Sequence, residues 1–99
     1  MSMKKAILGS LLILLFIGIT SLAPSGSHLA LLEDRIQMRN GMPQTYGSQI
    51  TSDENGKQIV YQIKDPQYVN QRRREVGLGP IEDYLKRWGI DWTIEQKSN

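Results

Sequence analysis

The chain has no cysteine, one histidine and one phenylalanine in 99 residues, and each shortage removes a class of function. Without cysteine there is no disulfide, no thiolate metal site and no thiol nucleophile, nor any residue to carry a bacterial lipid anchor. A lone histidine, His28, has no fellow ligands for a metal and no triad partners for nucleophilic catalysis. Its place beside a linker, at a helix start, reads as incidental. No metal and no cofactor are expected. A charge excess of one sign is also missing. The formal net charge of +2 belongs to the first residues: without Lys4 and Lys5, ten basic residues stand against ten acidic ones. Beyond the local run Arg72-Arg73-Arg74 there is no basic face, so no nucleic-acid partner is expected.

Charge is absent altogether from Ala6 to Ala23, a run of 18 residues. Lys4 and Lys5 before it and the small residues of Ser21-Leu22-Ala23 at its end complete the three parts of a secretory signal. Pro24, just after the expected cut, is a poor peptidase substrate, and the run is close to the ~17–25 residues that span a bilayer. A cleaved signal and a retained N-terminal anchor are both open. The expected location is extracytoplasmic, periplasmic or secreted, or membrane-anchored through residues 6–23.

The domain plan read from the chain is a targeting segment (1–23), a Pro/Ser/Gly linker (24–27), a small α+β domain (28–94) and a polar tail (95–99). Ser27 is the expected N-cap of a helix from His28 to about Arg39, stopped by Asn40-Gly41. Leu29, Leu32 and Ile36 form one apolar stripe and Leu31 and Met38 a second, nearly opposite, which suits a helix between two layers or against a partner. Gln44 to Thr51 and Gln58 to Lys64 read as a hairpin around Asp53-Glu54-Asn55-Gly56. Asp65-Pro66 opens a helix, Asp as the cap, that stops at Gly77. Gly79-Pro80 opens another, with Ile81, Tyr84, Leu85 and Trp88 as its stripe and Gly89 as its end. Ile90, Trp92 and Ile94 alternate and predict a short C-terminal edge strand. About 76 residues without a covalent staple make stability marginal, so a protein partner or a second copy would help.

Catalytic constellations are hard to find. Glu33 and Asp34 are adjacent on a helix and diverge, while Glu54, Asp83 and Glu95 read as solvated, so paired-carboxylate chemistry is not supported. The arginine run is more informative. With Val69 and Val76 marking the buried side of their helix, Arg73 falls within ~40–60° of that stripe, Arg72 within ~60–80°, and Arg74 faces solvent. An arginine beside an apolar stripe needs a partner. Two readings stand: a structural salt bridge to Asp34 or Glu33, or a fork for a carboxylate or phosphate ligand. The polar segment from Gln44 to Gln49 is unusual for a strand, and Gly47 marks a bulge or a close backbone approach.

Asp34-Arg35, Gly41, Gln44, Tyr46-Gly47-Ser48-Gln49, Asp65-Pro66, Val69, Arg72-Arg73, Val76-Gly77-Leu78, Pro80 and Tyr84-Leu85 form a series in register. It resembles the C-terminal half of a bacterial domain family of unknown function, the one numbered 6624. That family's pattern reads D-R, then G-x-x-Q-x-Y-G-T-Q, then D-P-x-x-V-x-x-R-R-x-x-V-G-L-x-P-x-x-x-Y-L. The resemblance covers Asp34 to Leu85. Ser48 stands where the pattern has Thr, and Gly79 where Pro is common. Similar proteins carry a helical region upstream, with its own polar motif, whereas here the targeting segment leads almost directly into Asp34-Arg35. The resemblance implies no reaction.

The expectation is a small exported or membrane-tethered module that binds an anionic or polar ligand, or a protein partner, with no catalytic residue assigned. Gln44, Tyr46, Gln49, Arg72 and Arg73 are the candidate ligand contacts, with Asp34, Arg35 and Asp65 in support. The alternatives are a metal-free enzyme acting on an anionic substrate and a structural or interaction subunit.

Overall fold

Ser25 starts the first element of the computed structural model, which describes residues 25–99; the expected targeting segment lies outside the described residues. Its backbone is extended (φ −64°, ψ 162°) and its hydroxyl accepts the His28 N–H at 3.4 Å, capping helix α1, Gly26–Arg39. The cap expected at Ser27 is thus two residues earlier; the two hydroxyls are hydrogen-bonded to each other at 2.8 Å. The helix ends where predicted: the Asn40 N–H returns to the Ile36 and Gln37 carbonyls, and Gly41 takes φ 69°.

Neither of the two apolar stripes of α1 is its most buried face; Leu31 and Met38 are half-buried. Ala30 and Asp34 are its buried residues, whereas Leu29, Leu32 and Ile36 are each about half exposed (52, 51 and 51%). A small residue and a carboxylate thus face the domain. Asp34 gains hydrogen bonds there that the opposite face cannot offer.

The hairpin is present but shorter than expected. Strand β1 (Ile50–Ser52) pairs antiparallel with β2 (Gln58–Val60) in the register Ile50↔Val60, Thr51↔Ile59, Ser52↔Gln58. Asp53 organises the turn by accepting the Asn55 and Lys57 N–H groups at 2.8 and 2.9 Å. The residues from Gln44 to Gln49, read as strand, form a loop joined to the second hairpin segment by a parallel bridge, Gln44↔Ile63, and by the Tyr61 N–H donating to the Gln49 carbonyl at 3.0 Å. Gly47 at φ 73° breaks the extended run.

Asp65 does not cap by its side chain. It takes the left-handed conformation (φ 39°) and offers its carbonyl to the Tyr68 N–H, so Pro66–Tyr68 winds as a 3₁₀ turn into helix α2, Val69–Glu75. Gly77 (φ 82°) ends that helix as expected, and α3 follows at Ile81–Lys86. The predicted C-terminal strand is absent: Ile90 to Ile94 has no ladder partner. It adds no strand to either edge of the two-stranded sheet, yet Ile90 and Trp92 pack on the core. The tail is fastened by side chains instead. Gln96 accepts the Asn70 N–H and donates to the Pro66 carbonyl, both at 2.9 Å, and the Lys97 N–H reaches the Gln67 carbonyl at 2.7 Å.

The result is an α+β domain with a small core. Val69, Ile81 and Leu85 are fully buried, and Ile50, Val60, Ile63 and Tyr84 pack around them. Among the described residues four apolar side chains are buried against five polar or charged ones (Asp34, Gln44, Ser48, Asn70 and Arg73), so satisfying polar groups weighs as heavily as burying apolar area. Every buried side-chain nitrogen and oxygen among them has a partner.

Asn70 illustrates the dependence. Its Oδ1 accepts the buried Ile81 N–H at 2.8 Å, capping α3 from a neighbouring helix because Pro80 has no capping side chain, and its Nδ2 donates to Glu82 at 3.0 and 3.1 Å. Asn70→Ala should destabilise the domain by about 1–3 kcal/mol, read as a lower urea midpoint at unchanged slope. A neutral result would mean that water caps α3 equally well.

Candidate functional site

The loop Gln44–Gln49 presents its N–H groups to α1. Asp34 and Gln37 lie one turn apart on the same face of that helix, with Ala30 allowing close approach. Asp34 Oδ1 accepts the Thr45 and Tyr46 N–H groups, both at 2.9 Å. Its Oδ2 accepts the Ser48 N–H at 3.0 Å and the Ser48 hydroxyl at 2.7 Å. Gln37 Oε1 shares the Thr45 N–H and accepts the Thr45 hydroxyl, each at 3.0 Å. The carboxylate is fully buried, and four donors take the place of its water.

The loop's carbonyls face the other way, toward α2 and α3. Arg72 Nε donates to the Thr45 carbonyl at 2.8 Å, and Arg73 Nη1 to the Tyr46 carbonyl at 2.7 Å. The Tyr84 hydroxyl donates to the Ser48 carbonyl at 2.6 Å. Gln44, fully buried, closes the loop on itself: its amide accepts the Gln49 N–H at 2.8 Å and donates to the Gln49 and Tyr61 carbonyls at 3.1 and 2.8 Å. The loop's peptide dipoles therefore lie between a carboxylate on one side and two guanidiniums on the other.

The arginines are committed to backbone. Besides Thr45, Arg72 reaches the Lys64 and Asp65 carbonyls, and Arg73 Nε holds the Gly79 carbonyl at 2.6 Å. All these hydrogen bonds end on carbonyls, where a salt bridge to Asp34 or Glu33 was one of the two expected partners. The Arg73 guanidinium also sits 5.3 Å from the centre of the Tyr84 ring, a cation–π contact. Burial pushes the Arg73 pKa down, and the fields of Tyr84, Asp34 and Glu82 partly restore it. Burial likewise lowers Arg72, with Asp65 the first opposing influence. Burial raises the Tyr46 phenol, helped by Glu33, Asp34 and Glu75 and opposed by Arg72, so it stays protonated at neutral pH.

These side chains do not converge on one pocket. A cleft of about 420 Å³ between α1, the hairpin and α3 is lined by Arg35, Gln49, Thr51, Gln58, Tyr84 and Trp88 among others. Arg72 and Asp65 border a second depression of about 390 Å³ with Thr45 and Lys64, and Arg73 a third of about 330 Å³ beside Gly79 and Pro80. Gln44 is enclosed, and Tyr46, half-buried, borders none of the three. Of the candidates, Arg35 and Gln49 share a cleft; Arg72 shares another with Asp65.

Several contributors were not singled out from sequence. Gln37 and Asn70 looked like ordinary helical polar residues, though the wheel places Gln37 on the Ala30–Asp34 face. Trp88 was read as core and is 42% exposed along the first cleft, edge-to-face with Tyr84 at 6.5 Å. The Asp34–Ser48 contact joins residues far apart in sequence and has no local signal.

Two substitutions test the clamp. Asp34→Asn keeps the shape but replaces an acceptor oxygen by a donor NH₂ facing N–H groups, and should cost about 3–5 kcal/mol by urea denaturation; Ser48→Ala should cost only about 1 kcal/mol. Equal, small effects would mean that Asp34 does not organise the loop. At Gly47 a Cβ would collide with Ile81 Cδ1 and lie 3.2 Å from Ile63 Cδ1, on top of the positive φ, whereas at Gly77 it meets open space. Gly47→Ala should therefore lower Tm much further than Gly77→Ala, whose cost is confined to about 1 kcal/mol of backbone strain.

No curated protein and no solved structure matches the chain. A family model does, over residues 3–95, reaching well upstream of the Asp34–Leu85 stretch on which the resemblance rests and back through the apolar segment. The motif residues that hold the loop fall inside that match, and the chain belongs to the Family of unknown function (DUF6624).

Proposed function

We propose that this protein is a small extracytoplasmic or membrane-tethered binding module that takes an anionic or polar small molecule in the cleft beside the clamped loop. The observation that carries the reading is a division among the motif residues. Asp34, Gln44, Arg72 and Arg73 spend their polar atoms on the loop's backbone. The Arg35 guanidinium and Gln49 Oε1 have no hydrogen bond among the described residues, and both line the same cleft. Arg35 is the single cation in that lining and no carboxylate accompanies it, so an anionic group is its complement. Gln58, Thr51 and Ser52 add hydrogen-bonding groups, and Trp88 adds a flat apolar wall. Lys4 and Lys5 before the uncharged run 6–23 support the compartment, since such a charge pattern keeps the N-terminus inside.

An enzyme acting on an anionic substrate is the second reading. One observation favours it: the Ser48 hydroxyl lies on the cleft wall, 2.7 Å from a carboxylate oxygen. Against it, each oxygen of Asp34 already accepts two donors, which leaves the carboxylate little capacity to take a proton.

Titration of the full-length protein with acetate, inorganic phosphate and glucuronate, followed by NMR, tests the module. At least one should shift resonances of Arg35, Gln49 and the Trp88 indole. Arg35→Gln should weaken that binding by roughly 10-fold or more at unchanged Tm. Arg73→Ala should lower Tm. Binding lost in a folded Arg73→Ala and kept in Arg35→Gln would return the site to the arginine pair.

A further inference from the structure

Leu29, Leu32 and Ile36 follow one another at spacings of three and four along α1, each about half exposed, on the side of the helix roughly opposite the buried Ala30 and Asp34. On that helix His28, Arg35 and Arg39 flank the stripe on one side and Glu33 on the other. An apolar stripe bordered by basic residues along one side suits a helix lying in the plane of a membrane interface.

We infer that α1 lies flat on the lipid surface, with Leu29, Leu32 and Ile36 among the upper acyl chains and Arg39 at the phosphates. The inference rests on the tethered form of the proposed module, with residues 6–23 retained as the anchor. Two observations choose lipid over other occupants. The uncharged run ends at Ala23, three residues before Gly26, so an anchored chain holds α1 at the bilayer surface. Ser25 caps α1 from an extended backbone, so α1 begins at Gly26 and the first residue of its stripe, Leu29, follows the uncharged run by six residues. A second copy is the weaker occupant. Three half-exposed side chains offer on the order of a few hundred Å², well under the ~800 Å² per partner of a stable interface.

This placement also orients the proposed cleft. Arg35 belongs both to the flank of the stripe and to the cleft lining, so the cleft opens beside the membrane surface, within reach of ligands carried there.

The lack of native cysteine makes site-specific spin labelling direct. The full-length chain carrying Leu32→Cys, Ile36→Cys or Glu54→Cys would be labelled in nanodiscs containing anionic lipid, and its accessibility to oxygen and to a water-soluble nickel complex compared. Labels at 32 and 36 should be oxygen-favoured, with nickel accessibility roughly 3-fold or more below that at 54 in the hairpin turn. Equal nickel accessibility at 32 and 54 overturns the lipid contact while leaving the anchor intact. Strong dipolar coupling between labels at 32 assigns the stripe to a second copy and overturns it too. Recovery of a shortened, soluble product from cells removes the anchor, and with it the tethered reading on which the inference stands.

Discussion

Asp34 is a carboxylate with no exposed surface in a domain that buries few apolar side chains, and water around it is replaced by three backbone N–H groups and a hydroxyl. An ion buried on those terms is tolerable only while all of its donors stay in place. The donors all come from one loop, so the loop has one conformation in which Asp34 is satisfied. The positive φ of Gly47 and the close approach of Ile81 to it belong to that conformation.

The second half of the constraint comes from α2 and α3. Polarising the loop's N–H groups toward Asp34 leaves its carbonyls directed at the other side, where Arg72, Arg73 and Tyr84 receive them. Carboxylate and guanidiniums thus interact through the peptide groups between them. Arg73 is almost fully buried without a carboxylate on its own hydrogen bonds, a costly position made acceptable by two short bonds to carbonyls and the face of Tyr84. The loop serves as a polar core that links three helices to a two-stranded sheet, doing work that a domain of this size cannot assign to apolar packing alone.

That arrangement bears on function. Residue types common in binding sites are here occupied in holding backbone, and the proposed recognition falls to their sequence neighbours. Arg35 follows Asp34 on α1 and Gln49 follows Ser48 at the end of the loop. A rigid loop with its polar atoms satisfied sets the position of those neighbours without adding flexible groups to the cleft.

Much of the architecture was legible from local chemistry. Hydrophobic period, Gly/Pro punctuation and the Asp53–Gly56 turn were enough for an α+β order of helix, hairpin and two short helices, because each is decided by residues within one or two turns of the chain. The motif spacing likewise carried the family. Tertiary structure decided the rest. Two opposite apolar stripes left open whether α1 sat between layers or against a partner, and the hydrogen bonds of Asp34 decided which face turned to the loop. Gln44 to Gln49 were read as strand because their partners, one carboxylate and two arginines distant in sequence, are invisible to any local pattern. Whether Arg72 and Arg73 held a carboxylate, a ligand or backbone depended on which acceptors the fold brought within hydrogen-bond reach. Sequence determined that those side chains needed partners; tertiary structure chose them, because a hydrogen bond is set by distance in space and not by separation along the chain.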